Sequence, residues 1–321
     1  MILILSIDDD QCTNEVIDWL SHLNKSFIRI NYTDECKIDR ISLDNESNDI
    51  IIKTNNQEIN LNNITSYWYR RGDFTIKISK PKIEKNFHFV QEVNNNLHDE
   101  LKSLNHYLHF FLKTKKSLGS FFDNKKNKLE NIFFAKSFGL RTPKTLITSS
   151  KKNIEDFYNS EQNIITKAIS DTFYFSILDE GCIQSYTNTV SKEDIELYDS
   201  NIFPSKFQSN INKLYELRIF YLNGDFFSMA IFSQTNSKTK TDFRNYDIKR
   251  PNRCTPHILP EEIKKKLKLF MNQKGYKTGS IDMIVSKDKE YVFLEVNPIG
   301  QFGMTSYPCN YLLHKKIAEY L

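Results

Sequence analysis

Apolar and polar positions along the chain change period several times, and each change marks an element. Residues 2–6 form a continuous apolar run that predicts a buried strand, ended at once by the acidic turn Asp8-Asp9-Asp10. From Thr13 to Leu23, the residues Val16, Ile17, Leu20 and Leu23 share one helical face, with Thr13 as the expected N-cap. Phe27 to Ile30 reads as a second strand, and this strand–helix–strand start predicts a small α/β domain. The Asn- and Asp-rich stretch around 42–63 suggests a hairpin with polar loops, and Tyr67-Trp68-Tyr69-Arg70-Arg71-Gly72-Asp73 a strand entering a turn. Residues 84–113 carry the longest helical pattern: Val90, Leu97, Leu104 and Phe111 recur at seven-residue steps, with Leu101 and Leu108 between them. Such a stripe packs a long helix onto its own domain, the reading favoured here, or forms a homodimer interface; no flanking charge pattern chooses between them.

The remaining chain is richer in strands. Leu129, Ile132 and Phe133 predict a helix within 126–138, Gly139 ends it, Pro143 forbids its continuation, and a strand runs to about 148. A short helix at 151–158, a strand at 163–169 and strands at 172–178 and 181–187 follow, and Ser191 with Asp194 is spaced to cap another short helix. Strands are expected at 206–211, 216–222 and 226–233, the last two joined by the hairpin signal Asn223-Gly224. A helix at 260–274, a hairpin of strands 279–286 and 290–296 and a C-terminal helix at 309–320 complete the pattern, without repeats or long linkers.

Composition narrows the class. A chain of 321 residues has room for a full core and about two domains. A net charge of +4 is too thinly spread to announce nucleic acid as a partner, and 9 Gly and 8 Pro beside 13 % aromatics exclude collagen-like and disordered classes. Cys12, Cys36, Cys182, Cys254 and Cys309 are odd in number with no Cys-x-x-Cys pair, which argues against a disulfide framework or zinc ribbon and for a reducing cytoplasm. The N-terminal apolar run lacks a basic flank and is too short for a signal peptide or a membrane span.

The chemistry concentrates in the second half. If strands 279–285 and 291–297 join through a two-residue turn, Asp282 faces Glu295 and Asn297 projects from the same side. Like charges opposed on a sheet repel unless a cation lies between them, and two carboxylates with an amide oxygen suit Mg²⁺ shared with phosphates. The opposite face, Ile281, Met283, Val285, Val292, Leu294 and Val296, is expected to be core. A solvated surface pair eased by Lys287 or Lys289 fits the same spacing. Lys167 interrupts an apolar strand and Lys128 heads a helix; each suits a phosphate, although solvated lysines are commoner. Glu216 and Arg218 leave one face of an apolar strand together, as a site floor or an edge salt bridge. The polar loop from Ser233 to Tyr246, with Lys238, Lys240 and Arg244, is a candidate anion-binding lid.

The order of these motifs resembles the ATP-grasp superfamily over about residues 125–310: Lys128-Leu129-Glu130-Asn131, Gly139 and Pro143, a strand with Lys167, Gln208 to Ile211, Glu216-x-Arg218, Asp282 and Glu295-Val296-Asn297-Pro298. Over nearly the whole chain, Trp68 to Asp73, Glu216 to Tyr221, Thr241 to Arg244 and Phe293 to Gly303 look like the microviridin-type peptide ligases (graspetide synthetases), most like the group paired with SPASM-type radical proteins. The resemblance implies a mixed α/β ATP-grasp fold that clasps ATP between two sheets, with an N-terminal domain 1–120, a central subdomain 121–204 and a C-terminal subdomain 205–321. It also implies a ligase that phosphorylates Asp or Glu side chains of a ribosomal precursor peptide and closes ω-ester or ω-amide rings with Ser, Thr or Lys. By the same resemblance Lys128 and Lys167 would hold the ATP phosphates, Gln208, Ser209, Asn210 and Ile211 would form the hinge against adenine, and Glu216 would approach the ribose or orient Arg218. Asp282, Glu295 and Asn297 would bind Mg²⁺, in two ions, and Arg218 and Arg244 would stabilise the transferring phosphoryl group and acyl phosphate. Helix 84–113 or residues 181–196 are candidate docking places for the precursor's leader. The loop Ser170-Asp171-Thr172 departs from the family in having no glycine. An intermolecular ligase that adds an amino acid or amine to a carboxylate, and a nucleotide-binding module without chemistry, are the rival readings.

Overall fold

The structure, a computed structural model, describes residues 1–45, 48–54, 57–77, 87–125, 127–170, 174–177, 181–234 and 249–321. The chain forms two compact units: residues 1–125 with 301–303 and 312–321, and residues 126–300 with 304–311.

The first unit opens with β1 (Ile2–Ser6), α1 (Gln11–His22), β2 (Phe27–Asn31), β3 (Glu35–Leu43), β4 (Asn48–Thr54), β5 (Glu58–Asn60), β6 (Ser66–Tyr69), β7 (Thr75–Ile76), α2 (Phe87–Lys113) and β8 (Lys116–Leu118). Every residue of β1 is buried, as its apolar run requires, and a parallel sheet forms in the order β2-β1-β6-β8. A second sheet follows the order β5-β4-β3-β7. Helix α1 starts earlier than expected: Asp10, not Thr13, is the N-cap, its carboxylate accepting the Thr13 N–H at 3.2 Å. Thr13 is instead buried, its Oγ1 accepting from Ser6 Oγ at 3.1 Å. Helix α2 buries only Leu108, His109 and Leu112, while Phe87, Phe89, Leu104 and Phe110 are exposed, so its own unit covers just the C-terminal end of the stripe.

The second unit contains α3 (Lys128–Ser137), β9 (Thr145–Ser150), α4 (Lys151–Glu161), β10 (Ile164–Thr166), β11 (Tyr174–Ile177), β12 (Gly181–Gln184), β13 (Asn188–Val190), α5 (Lys192–Glu196), β14 (Asn201–Ser209), β15 (Lys213–Leu222), β16 (Asp225–Phe232), β17 (Arg253–His257), α6 (Glu261–Gln273), β18 (Thr278–Ser286), β19 (Tyr291–Asn297) and α7 (Gly303–Cys309). Local chemistry sets the expected boundaries: Ser191 and Asp194 form a full capping box, Gly139 is left-handed just past α3, and Asn223-Gly224 turns the β15–β16 hairpin with both residues at positive φ. Strand β17 is not legible in the sequence, because Pro256 argues against a strand; the structure tolerates it on the sheet edge. Where one C-terminal helix is expected there are two, α7 and α8 (Leu313–Tyr320), divided by left-handed backbone at Asn310 and Leu312. Helix α8 packs on α1 in the first unit. Among the described residues, no helix is long and apolar enough to cross a membrane.

Two antiparallel sheets of the second unit matter for function, in the orders β13-β10-β14-β9 and β17-β16-β15-β18-β19. Ile164, Val190 and Phe207 bury one face of the first sheet with Ile154 of α4 and Ile195 of α5. Leu217, Ile219, Ile281, Met283 and Phe293 bury one face of the second with Ala135 of α3 and Leu267, Phe270 and Met271 of α6. A fully buried side chain of this size contributes about 1.5–3 kcal/mol. Period-two alternation therefore turns the intervening residues of both sheets to the other side.

Candidate active site

Those outward faces line a cavity of about 670 Å³ within the second unit. From the five-stranded sheet come Lys213, Glu216, Asp282, Ile284, Leu294 and Glu295; from the other sheet and its connections come Ile165, Lys167 and Gln208 to Ile211.

The hairpin β18–β19 brings its acidic pair together by a route the sequence does not announce. Asp282 pairs with Glu295, and Asn297 with Ser280, so both carboxylates and the amide lie on one face. The turn is longer than two residues: the Ser286 N–H donates to the Glu290 carbonyl at 3.0 Å, with Lys289 left-handed between them. The ladder from this turn pairs Met283 with Phe293; continued regularly, it would set Asp282 against Leu294 and Glu295 against Ile281, on the core side. A β-bulge at Leu294 restores the pairing of Asp282 with Glu295. The expected core face is corrected accordingly. Phe293 takes the core position, Leu294 lines the cavity, and Val292 pairs with Ile284 on the cavity side.

Each carboxylate meets a cation. Arg218, opposite Asp282 on β15, donates from Nη1 to both carboxylate oxygens at 2.7 Å. Lys128, the first residue of α3, lies 3.2 Å from Glu295. Glu216 is buried, paired with Lys213 and accepting from Ser233 Oγ at 3.1 Å. Lys213 is a site residue that the sequence reading passes over. Its signal is weak: a lysine three residues before Glu216 in a strand that carries both.

On the opposite sheet, the side chain of Gln208 donates from Nε2 to Thr145 Oγ1 at 2.8 Å, and its buried Oε1 has no partner among the described residues. The Ser209 and Asn210 N–H groups bond the carbonyls of Lys144 and Asn163, fixing the chain as it leaves β14. Lys167 follows β10 and lines both this cavity and an adjoining one. Lys206, also missed by the sequence reading, alternates with Phe207 and so shares the face of Gln208. Arg244 and most of the candidate lid, together with Asp171 and Thr172, lie outside the described residues.

The donor set fits a hard divalent cation, since two carboxylates and an amide oxygen share one face beside lysines. Among the described residues, no group of three His, Cys, Asp or Glu side chains is gathered elsewhere for a metal. A cation held by so few protein oxygens completes its shell from waters and a bound phosphate, as Mg²⁺ does. Thiol chemistry is not poised anywhere described: burial raises the thiols of Cys12, Cys36, Cys254 and Cys309, those of Cys36 and Cys309 to about 11.

Known proteins resemble this chain over most of its length. Residues 1–116 match the model of the MvdD pre-ATP grasp domain. Macrocyclase MdnC of Microcystis aeruginosa MRC, bound with precursor peptide MdnA, is 27 % identical over 100 % of this chain and 99 % of its own, with a TM-score of 0.76. The chain thus has the ATP-grasp fold and, over its first 116 residues, the pre-ATP grasp domain of the microviridin type. A RiPP-associated ATP-grasp ligase of Chryseobacterium gregarium, in complex with ADP and a leader and core peptide, aligns over 99 % of this chain and 94 % of its own at 23 % identity and a TM-score of 0.79. The ATP-grasp ligase PsnB, complexed with minimal precursor, Mg and ADP, is 14 % identical over 99 % and 95 %, with a TM-score of 0.73. No curated protein sequence matches the chain. The mixed α/β ATP-grasp fold expected from the motif order is thus present, with the cavity between the two sheets of the second unit.

Proposed function

We propose that the chain is an ATP-dependent peptide ligase that closes ω-ester or ω-amide rings in a ribosomally made precursor. The observation that carries this is the single cavity on which lysines, a strand exit rich in backbone groups and an opposed carboxylate pair converge. The precursor, leader and core peptides held by the structural relatives support a peptide as the acceptor. In this reading Gln208 to Ile211 take the adenine, Glu216 the ribose side, and Lys128 and Lys167 the phosphates. Asp282, Glu295 and Asn297 would hold Mg²⁺, which would neutralise the nucleotide phosphates and orient the γ-phosphoryl group. Lys128 and Arg218, which pair with these carboxylates, and Arg244 would serve the transferring phosphoryl group.

A side-chain carboxylate oxygen of the core attacks the γ-phosphorus and ADP leaves. A hydroxyl or amine of the same peptide then attacks the acyl carbon, loses its proton, and phosphate leaves. Positioning and charge neutralisation suffice for both steps, which is why no nucleophilic side chain of the protein is needed. We place the enzyme in the cytoplasm, where ATP and new peptide meet.

Incubation of the purified protein with ATP, Mg²⁺ and a short Thr/Ser- and Glu/Asp-rich precursor peptide, should one be encoded beside its gene, tests this by mass spectrometry. The expected product is lighter by one water per ring, with ADP released. An unchanged peptide overturns the proposal, and a mass gain assigns an intermolecular ligation instead.

A further inference from the structure

Lys206 has no role in the assignments above, yet its setting is unusual for a lysine. The residue is 2 % exposed on β14. Its carbonyl accepts from Thr166 Oγ1 at 3.1 Å and from the Lys167 N–H at 3.4 Å, and its ammonium donates to the Ala168 carbonyl at 2.5 Å. Lys206 thereby holds Thr166, Lys167 and Ala168, the last through its side chain. Lys206 also lines a second, polar cavity of about 360 Å³ with Lys128, Lys167, Ser170 and Glu295, and this cavity shares Lys167, Thr187 and Glu295 with the larger one.

Among the described residues, three lysines and one carboxylate line this space, a lining that is positive on balance. Among the described residues, the charges acting on Lys206 are Lys167 and Lys128, of like sign, and Glu295, already bridged to Lys128. Burial, then the two lysines, brings the Lys206 ammonium down to about 8. A neutral carbonyl is a poor counterweight for a buried cation, so a residue serving only to hold the strand would do better as an apolar chain. A multiply charged anion reverses the sign of every one of these interactions.

We propose that Lys206 is a third cation for the polyphosphate tail of the nucleotide, held ready beside Lys128 and Lys167 while it grips the Ala168 carbonyl. This rests on the nucleotide reading of the cavity. The proposal makes Lys206 both a phosphate contact and the residue that positions Lys167.

The test compares wild type with Lys206→Met, which keeps the apolar stem, and Lys206→Gln, which can still donate to Ala168. Calorimetry measures the affinity of each for adenosine, ADP and a non-hydrolysable ATP analogue, and a thermal melt measures each protein without ligand. Removal of a charge-assisted contact should weaken ADP, the ATP analogue or both about tenfold or more, with adenosine within twofold of wild type. The ligand-free Met variant should melt at or above wild type. Unchanged affinity for both nucleotides in a folded variant overturns the proposal and leaves Lys206 a structural clamp, as does an equal loss for adenosine. If Met prevents folding, the Gln variant decides on the same criterion. Wild-type protein that binds ADP no better than adenosine would sink the nucleotide reading itself.

Discussion

Asp282 and Glu295 each hold a cation, so removing either carboxylate acts on chemistry and stability together, and the two effects separate by choice of substitution. Arg218 and Asp282 are only 12 % and 13 % exposed, so Asp282→Ala leaves Arg218 without its carboxylate in a poorly hydrated place. Asp282→Asn keeps an acceptor for the guanidinium but loses the charge needed for a metal. ADP production should fall about a hundredfold or more in Asp282→Ala, Asp282→Asn and Glu295→Ala alike, while only Asp282→Ala melts markedly below wild type. Turnover retained by Asp282→Asn would refute the metal assignment. Gly300 shows the same dependence of site on backbone. A Cβ there would lie 2.5 Å from Ser280 Cβ and 2.9 Å from the Asn297 carbonyl oxygen, so Gly300→Ala must displace the strand end that carries Asn297. It should cost about 1–3 kcal/mol in a urea melt, and Ser280→Gly in the same chain should recover part of that loss. Additive losses in the double variant would show that the two residues do not meet.

Between elements, position and register part company. The hairpin β18–β19 and the facing of Asp282 and Glu295 were legible in the sequence, but through a turn assumed to be shorter than it is. The bulge at Leu294 compensates, and no local residue type signals it, since Leu294 continues an ordinary apolar run. Lys206 stayed hidden for a related reason: Pro204 and Ser205 made its surroundings read as the polar start of a strand, whereas β14 begins at Asn201. Helix α2 was legible in extent but not in burial, because heptad spacing is silent about which turns are covered. Its fixed end hangs on one polar chain in which His109 bonds Tyr67 at 3.1 Å and Asp73 at 2.8 Å, with its ring stacked on Phe121 at 4.1 Å. Burial alone would raise the Asp73 carboxyl, but hydrogen bonds from His109 and Asn105 outweigh it and hold the carboxyl below its ordinary 3.8. A depressed folded value means that the stabilisation is complete above about 3.8 and fades as pH falls through the lower folded value. Asp73→Asn should therefore be less stable than wild type by about 1–2 kcal/mol at pH 7, and the gap should close as urea melts are moved below pH 4. A gap independent of pH would mean that the carboxyl's charge plays no part in anchoring α2.

At the scale of the whole chain, every described residue assigned to nucleotide, metal or phosphoryl transfer falls in the second unit, although the match to the pre-ATP grasp domain falls in the first. Residue 205 lies inside that second unit, on the strand that carries Lys206 to Ser209, and the last ten residues belong to the first. Sequence order could not show the return of the C-terminus, because α8 rejoins the first unit across nearly 300 residues, as in the bond from Lys25 Nζ, just past α1, to the Ala318 carbonyl at 2.9 Å. Ligand binding gives this division a measurable form. ADP with Mg²⁺ at a hundred times its dissociation constant should stabilise the protein by about 2.7 kcal/mol, and chelation of the metal should reduce the effect without abolishing it, because the lysines remain. Amide exchange should slow around Lys128, over 164–168, 206–218 and 282–297, and stay unchanged in β3, β4 and β5, whose sheet contributes nothing to either cavity. Protection spread evenly over both units would mean that the nucleotide acts on the chain as a whole. Absence of protection at 206–211 would remove the adenine hinge, and with it the reason for placing ATP between these two sheets.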